Sequence, residues 1–374
     1  METQKDVEMV QECCAFVIVE VTEEEWLEKR GTHTHKVRRT LYVEKKSIAT
    51  DVADANRTYQ VAKSHIKLLL TSVQLGQALA TEDTQAIVTE CVNRVMHNPN
   101  AILWLTRLKS NDDYTAEHCI NVSLLAIALG HHMGLEQWEL ENLGICGLLH
   151  DIGKMNVADE ILNKPGPLTA EEFEEMAKHP LYGKKLLMER SDIYLGAVDV
   201  AYNHHERLDG KGYPRGLDAS KISLFTRIVT IVDAYDAMTS NRCYKKGMSS
   251  LEALKIINKH KGTQFDQEAA QKFIVMIGIY PPGYLMEMTN GEVGIILSHD
   301  ENYQLRPKVI MILDKNKEPQ PETIINLAHD PEDSAGNRYA VKAVYRSGVF
   351  GVNVADYILR GLKIKGLEYS MMSG

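Results

Sequence analysis

The run at residues 122–129 is apolar all round at a helical period. A helix with no polar face has to sit at the centre of its domain, with neighbours on every side. The flanking sequence supplies those neighbours. From Asn98-Pro99 to about Ile279 nearly every segment reads as helix. Ahead of it, Ile66, Leu69, Leu70, Val73 and Leu79 mark one helical face. Ile87, Val88, Cys91, Val92, Val95 and Met96 mark a second, closed by Asn98-Pro99. Thr169 with Glu172 forms a capping box, opening a helix expected to end near His179-Pro180. Residues 225–239 read as another helix, and Pro281-Pro282-Gly283 breaks the pattern.

Sequence of β type is confined to the two ends. Residues 16–21 and 39–43 are β-rich, around a charged stretch at 23–30. Residues 293–297 and 309–313 read as strands, with a short helix near 354–362. The expected fold is mainly α. A small α+β domain over 1–82 serves regulation or dimerisation, a helical catalytic core spans 83–283, and a short β-containing segment follows over 284–374.

Composition narrows the function. The 374 residues carry a formal net charge of −9, which disfavours a general DNA- or RNA-binding face. A small anionic ligand stays open, because metals reverse the field in a cleft. Cys13, Cys14, Cys91, Cys119, Cys146 and Cys243 form no C-x-x-C pair and read as buried cytosolic thiols. No apolar run approaches a membrane span and no signal peptide is evident, so the expectation is a cytoplasmic protein with no membrane partner.

Seven residues carry the chemistry: His118, His150, Asp151, His179, His204, His205 and Asp233. Singly they have bland readings. Asp233 lies on the apolar side of its helix, where a carboxylate needs a salt bridge or a metal. His118 reads as a hydrogen-bonded core histidine, and His179 as a helix-end residue complementing the dipole. The adjacent pairs His150-Asp151 and His204-His205 change this. At a helix terminus consecutive side chains can turn toward one point. Asp151 has two oxygens with which to bridge two ions. The sequence that follows His205, Glu206 to Pro214, is glycine-rich and forces a tight loop beside the site.

His150-Asp151-x-Gly153-Lys154, with His204-His205-Glu206-x-x-Asp209-Gly210-x-Gly212-Tyr213-Pro214, resembles the HD-GYP group of the HD phosphohydrolase superfamily. Tyr114-Thr115-x-x-His118, Leu162-Asn163-Lys164-Pro165-Gly166 and Val232-Asp233-x-x-Asp236-Ala237-x-Thr239-Ser240 match as well. The segment before them, around Trp26-Leu27, is similar to an uncharacterised domain often fused to HD-GYP domains. The resemblance implies an all-helical HD-type core and metal-dependent cleavage of a cyclic dinucleotide. It puts His118, His150, Asp151 and Asp233 on one ion, and His179, His204 and His205 on a second, with Asp151 bridging. Nitrogen and oxygen ligands without thiolate suit iron or manganese and are compatible with zinc, cobalt or nickel. A hydroxide bridging the ions would attack phosphorus in line with the ribose 3′-oxygen. Lys154 would hold a non-bridging phosphate oxygen, and Arg242 and Lys245 would bind substrate phosphates. Some family members hold a third ion through a glutamate four residues before the first histidine. Here that position is Tyr114, with Asp112 and Asp113 nearby, so two ions are expected.

The Gly212-Tyr213-Pro214 loop shapes the mouth of the site or presents a docking surface to signalling proteins. Glu206 and Asp209 read as anchors of this loop, through Arg207. The leading function is a phosphodiesterase acting on cyclic di-GMP, 3′,3′-cyclic GMP-AMP or both, giving linear dinucleotide and, with further cleavage, mononucleotides. The alternative is a receptor or scaffold with little turnover. A homodimer and ligand sensing both fit the N-terminal region. A mononucleotide phosphohydrolase is disfavoured by the loop.

Overall fold

The computed structural model of the chain describes residues 48–77, 81–106, 114–240, 247–298, 303 and 305–359. The expected strands at 16–21 and 39–43, Trp26-Leu27, Asp112, Asp113, Arg242, Lys245, Cys13, Cys14 and Cys243 lie outside the described residues, as does the side chain of Tyr114.

The helices are α1 (Ile48–Gln74), α2 (Thr81–His97), α3 (Pro99–Leu105), α4 (Tyr114–Met133) and α5 (Gln137–Leu149). They continue as α6 (Asp159–Leu162), α7 (Ala170–Met176), α8 (His179–Met188), α9 (Leu195–Asn203), α10 (Leu224–Thr239), α11 (Ser250–His260) and α12 (Gln267–Ile277). Helix α4 is the central one, as its pattern requires: every residue from 122 to 129 is buried. The one hydroxyl in that run is satisfied, because Ser123 Oγ donates to Gly144 O at 2.8 Å. A Cβ at Gly147 would meet Ser123 Cα at 2.8 Å. The lack of a side chain at 147 is what lets α5 lie directly on α4.

Helix α1 contributes Tyr59, Ala62, Ile66, Leu69 and Val73 to the same apolar core as α2, α4 and α5. The Thr169 cap forms, with Glu172 N donating to Thr169 Oγ1 at 3.3 Å. One expectation is corrected here. Helix α7 stops at Met176, and His179 opens α8 instead of ending a helix. Pro180 gives the reason: with fixed φ and no N–H it suits a first turn and breaks a helix interior.

After α12 the described residues form five antiparallel strands: β1 (Leu285–Met288), β2 (Val293–Ser298), β3 (Lys308–Leu313), β4 (Pro319–Asn326) and β5 (Val341–Tyr345). Their order is β4-β3-β2-β1-β5. The sequence reading anticipated only β2 and β3. Leu285, Val293, Ile295, Leu297 and Ile310 join the helical core, while Met286, Met288, Ile296, Val309 and Met311 form a second cluster on the other face. Trp104 Nε1 donates to Leu297 O at 3.0 Å and fastens α3 to the sheet. A short helix, α13 (Val354–Leu359), follows.

Candidate metal centre

Helices from across the core deliver the seven residues to one place. His118 lies in the second turn of α4, His150-Asp151 follow α5, and His179 is the first residue of α8. His204-His205 follow α9, and Asp233 lies midway along α10. All are buried except His205 and Asp233, which are partly so. Thr230 Oγ1 donates to His204 O at 2.8 Å, tying α10 to the end of α9. Gly153 and Gly183 meet with nothing between them but backbone, which brings the start of α8 against the turn carrying Asp151.

Asp151 stands between two sets of histidines. Its Oδ2 is 3.2 Å from His150 Nε2 and 3.4 Å from His118 Nε2. Its Oδ1 is 3.3 Å from His179 Nε2 and 3.6 Å from His204 Nε2. Asp233 Oδ1 joins the first set, 3.1 Å from His118 Nε2 and 3.9 Å from His150 Nε2. His205 joins the second, grouping with His179 and His204 as metal-holding donors.

Proton positions follow from the outer nitrogens. Nδ1 faces the carbonyl of Gly147 in His150 (2.7 Å), of Met176 in His179 (2.7 Å) and of Ala201 in His204 (3.1 Å). A carbonyl only accepts, so each Nδ1 carries a proton, and in the neutral ring the lone pair is then on Nε2. His118 Nδ1 likewise donates to Asp236 Oδ2 at 2.8 Å. The consequence is plain at His179 and His204, whose Nε2 atoms lie 3.3 Å apart, so that neutral rings would turn their lone pairs toward each other. Buried His150 Nε2 and Asp151 Oδ1 have no hydrogen-bond partner. Lone pairs and carboxylate oxygens crowded together in a buried site are costly unless a cation lies among them. Donors of nitrogen and oxygen type, in two sets sharing one carboxylate, fit divalent transition-metal ions.

The electrostatics agree. Burial pushes the Asp151 carboxyl up, but His150, Lys154 and His118 more than reverse this and hold it well below the ordinary carboxylate range. Asp233 is likewise held low, burial being outweighed by His118, His150 and His205. Burial lowers His179, and burial with His204 beside it lowers His205 further. Extra protons are therefore poor substitutes for a metal at the second set. Burial pushes the Cys119 thiol up to about 12, and Cys119 belongs to none of the metal-holding groups among the described residues.

Lys154 lies in the turn after Asp151, with Nζ 2.5 Å from Asp151 Oδ2. The loop after His205 is built as a clasp. Tyr213 stacks on His205 with ring centroids 4.7 Å apart, and the Tyr213-Pro214 peptide is cis. A Cβ at Gly212 would lie 2.5 Å from Glu206 Cα, so only glycine fits. Glu206 anchors the loop by accepting from Arg215 N at 2.6 Å and Leu217 N at 2.9 Å. Arg207 is not its partner. Arg207 instead grips Asp209 through two hydrogen bonds, of 3.0 and 2.8 Å.

One contributor had no role in the sequence reading. Asp236 orients His118, as a carboxylate behind a candidate metal-binding histidine would. Its signal was its spacing of three residues from Asp233, which puts both on one face of α10.

The segment that carries these residues is similar to known proteins. Residues 95–269 match the family model described as HD domain. That segment, which holds all seven residues, is similar to HD domains. The chain is 39% identical over 267 residues to a cyclic di-GMP phosphodiesterase of Pseudomonas aeruginosa, covering 71% of this chain and 64% of that protein. It is 34% identical over 171 residues to 3'3'-cGAMP-specific phosphodiesterase 3 of Vibrio cholerae, covering 46% and 37% respectively. The chain thus spans less than two thirds of either relative. Among solved structures, an HDG"Y"P protein from Bdellovibrio bacteriovorus shares the fold, with a TM-score of 0.52 at 19% identity over 62% of this chain and 73% of that one. No helix among the described residues is long and apolar enough to cross a membrane.

Proposed function

We propose that this HD domain is a metal-dependent phosphodiesterase that opens a cyclic dinucleotide. The observation that carries the reading is the face-to-face approach of His179 Nε2 and His204 Nε2 at 3.3 Å, beside the unpartnered Asp151 Oδ1. His118, His150, Asp151 and Asp233 would hold one ion and His179, His204 and His205 the other, with Asp151 shared. Two divalent ions supply charge that acidifies water and stabilises phosphoryl oxygens. Iron and manganese suit the donor set best.

The chain's own groups do the rest. The Nδ1 hydrogen bonds keep each imidazole in the tautomer that presents Nε2 inward. Lys154 is close enough to exchange Asp151 Oδ2 for a phosphate oxygen as negative charge develops there. Arg242 and Lys245 are the proposed contacts to the remaining phosphate. Tyr213, stacked on His205, closes one wall, and the loop it belongs to is the proposed docking surface for signalling partners. Residues 1–82 are proposed to regulate or dimerise the chain, with α1 sharing the catalytic core.

Cyclic di-GMP and 3′,3′-cyclic GMP-AMP are the proposed substrates, since relatives named for each match this region. The test is to incubate iron- or manganese-loaded protein with each, and with a deoxynucleotide triphosphate, and to identify products by mass. Linear dinucleotide is expected. No turnover of either cyclic dinucleotide would refute the reading and favour a receptor.

A further inference from the structure

The first metal set is backed by a buried relay that begins outside the HD domain. Tyr59, on α1, donates from its hydroxyl to Asn121 Oδ1 at 3.1 Å. Asn121 Nδ2 then donates to Asp236 Oδ1 at 3.2 Å. The other oxygen of Asp236 receives His118 Nδ1 at 2.8 Å, and Ser240 Oγ at 3.1 Å. Tyr59, Asn121, Asp236 and His118 are all buried. Every link has a direction. The Asp236 carboxylate only accepts, so Asn121 turns Nδ2 to it and leaves Oδ1 to receive the Tyr59 hydroxyl, which holds the far end of the amide. The amide donor then fixes the carboxylate, and the carboxylate fixes the ring that aims Nε2 at Asp151 and Asp233.

A second contact makes the arrangement rigid. One turn further along α1, Lys63 Nζ lies 2.5 Å from Glu117 Oε1, next to His118 in sequence. Helix α1 therefore grips α4 on both sides of His118, at Glu117 and at Asn121.

We infer that Tyr59 is a positioning residue of the metal centre, so that α1 is a working part of the site although it precedes the matched HD segment. The inference rests on the metal-binding reading above. Removing the hydroxyl leaves Asn121 Oδ1 buried without that donor, and the amide is then held only at its Asp236 end. The effect reaches His118 as a loss of orientation, with the ligand itself intact.

Cobalt titration separates this from a merely structural role. Chelator-stripped wild type, Tyr59→Phe, Asn121→Ser and Ile66→Val are titrated with Co2+ in competition with a chromophoric chelator, reading the visible ligand-field bands. Tyr59→Phe is expected to weaken one cobalt equivalent about 10-fold and shift its bands. Asn121→Ser, which cuts the relay one step nearer, should do the same. Ile66→Val, a buried apolar change on the same helix, should lower Tm and leave affinity and bands unchanged. Wild-type affinity and bands in both relay variants would overturn the inference, as would an equal loss in Ile66→Val. A wild type that binds no cobalt would instead overturn the metal reading beneath it.

Discussion

A Cβ built on Gly153 would lie 2.0 Å from the carbonyl oxygen of His179 and 2.3 Å from the amide nitrogen of Gly183. Neither obstacle is a flexible side chain, so the methyl of Gly153→Ala has to push α8 away from the turn after Asp151. His179, the first residue of α8, moves with it. The expected cost is about 1–3 kcal/mol of stability by urea unfolding. Metal titration should show weaker binding at the set containing His179.

Asp151→Asn keeps the shape of the central carboxylate and removes its charge. Metal content by mass spectrometry is expected to fall, and turnover of cyclic dinucleotide to drop to background, because both histidine sets lose their shared ligand. Full metal content with wild-type turnover would show that Asp151 is not the bridge.

Lys154→Ala removes an ammonium group without touching a histidine. Metal stoichiometry should stay at the wild-type value while kcat falls about 100-fold, the scale of losing one donor to transition-state charge. If kcat holds and only metal content changes, Lys154 serves Asp151 alone.

Glu206→Ala strips the acceptors from Arg215 N and Leu217 N. The loop should loosen by about 1–3 kcal/mol per unsatisfied buried group. Limited proteolysis between residues 207 and 216 is expected to become faster than in wild type, with metal content retained.

Glu287, in β1, gives a pH signature away from the metals. Hydrogen bonds from Lys317 and Lys342 hold its carboxyl down at about 2. Its folded pKa is below the unfolded value, so its stabilisation is present above the ordinary glutamate range and is lost as pH falls toward 2. The Tm gap between wild type and Glu287→Gln should be widest at pH 7 and should shrink steadily between pH 4.5 and 3. A gap independent of pH would mean that the charge on Glu287 does not matter.

Much of the candidate centre was legible because His150-Asp151 and His204-His205 fall at helix ends, where sequence punctuation is strong. The order of His150-Asp151 and His204-His205 after apolar runs fixed the pairs. Residues 122–129 fixed what they pack around. His179 was misplaced at a helix end because the Thr169 cap was read as opening one long helix, and Pro180 was read as a stop. The anchor of Glu206 was assigned to Arg207 because sequence proximity favours side chains, whereas backbone amides nine and eleven residues on became available only when the loop folded. Strand β1 is methionine-rich, β4 begins with prolines at a sheet edge, and neither alternates in the way a pattern search rewards.

The indole of Trp104, bonded to a strand 193 residues away in sequence, bears on how the protein can be divided. A fragment cut after α12, where the HD match has already ended, would uncover the faces of α3 and its neighbours that Leu285, Ile295 and Leu297 now cover. Such a fragment would retain all seven ligands yet present an open apolar wall to solvent, and it would be expected to aggregate. The sheet is the wall that covers one apolar side of the helical half.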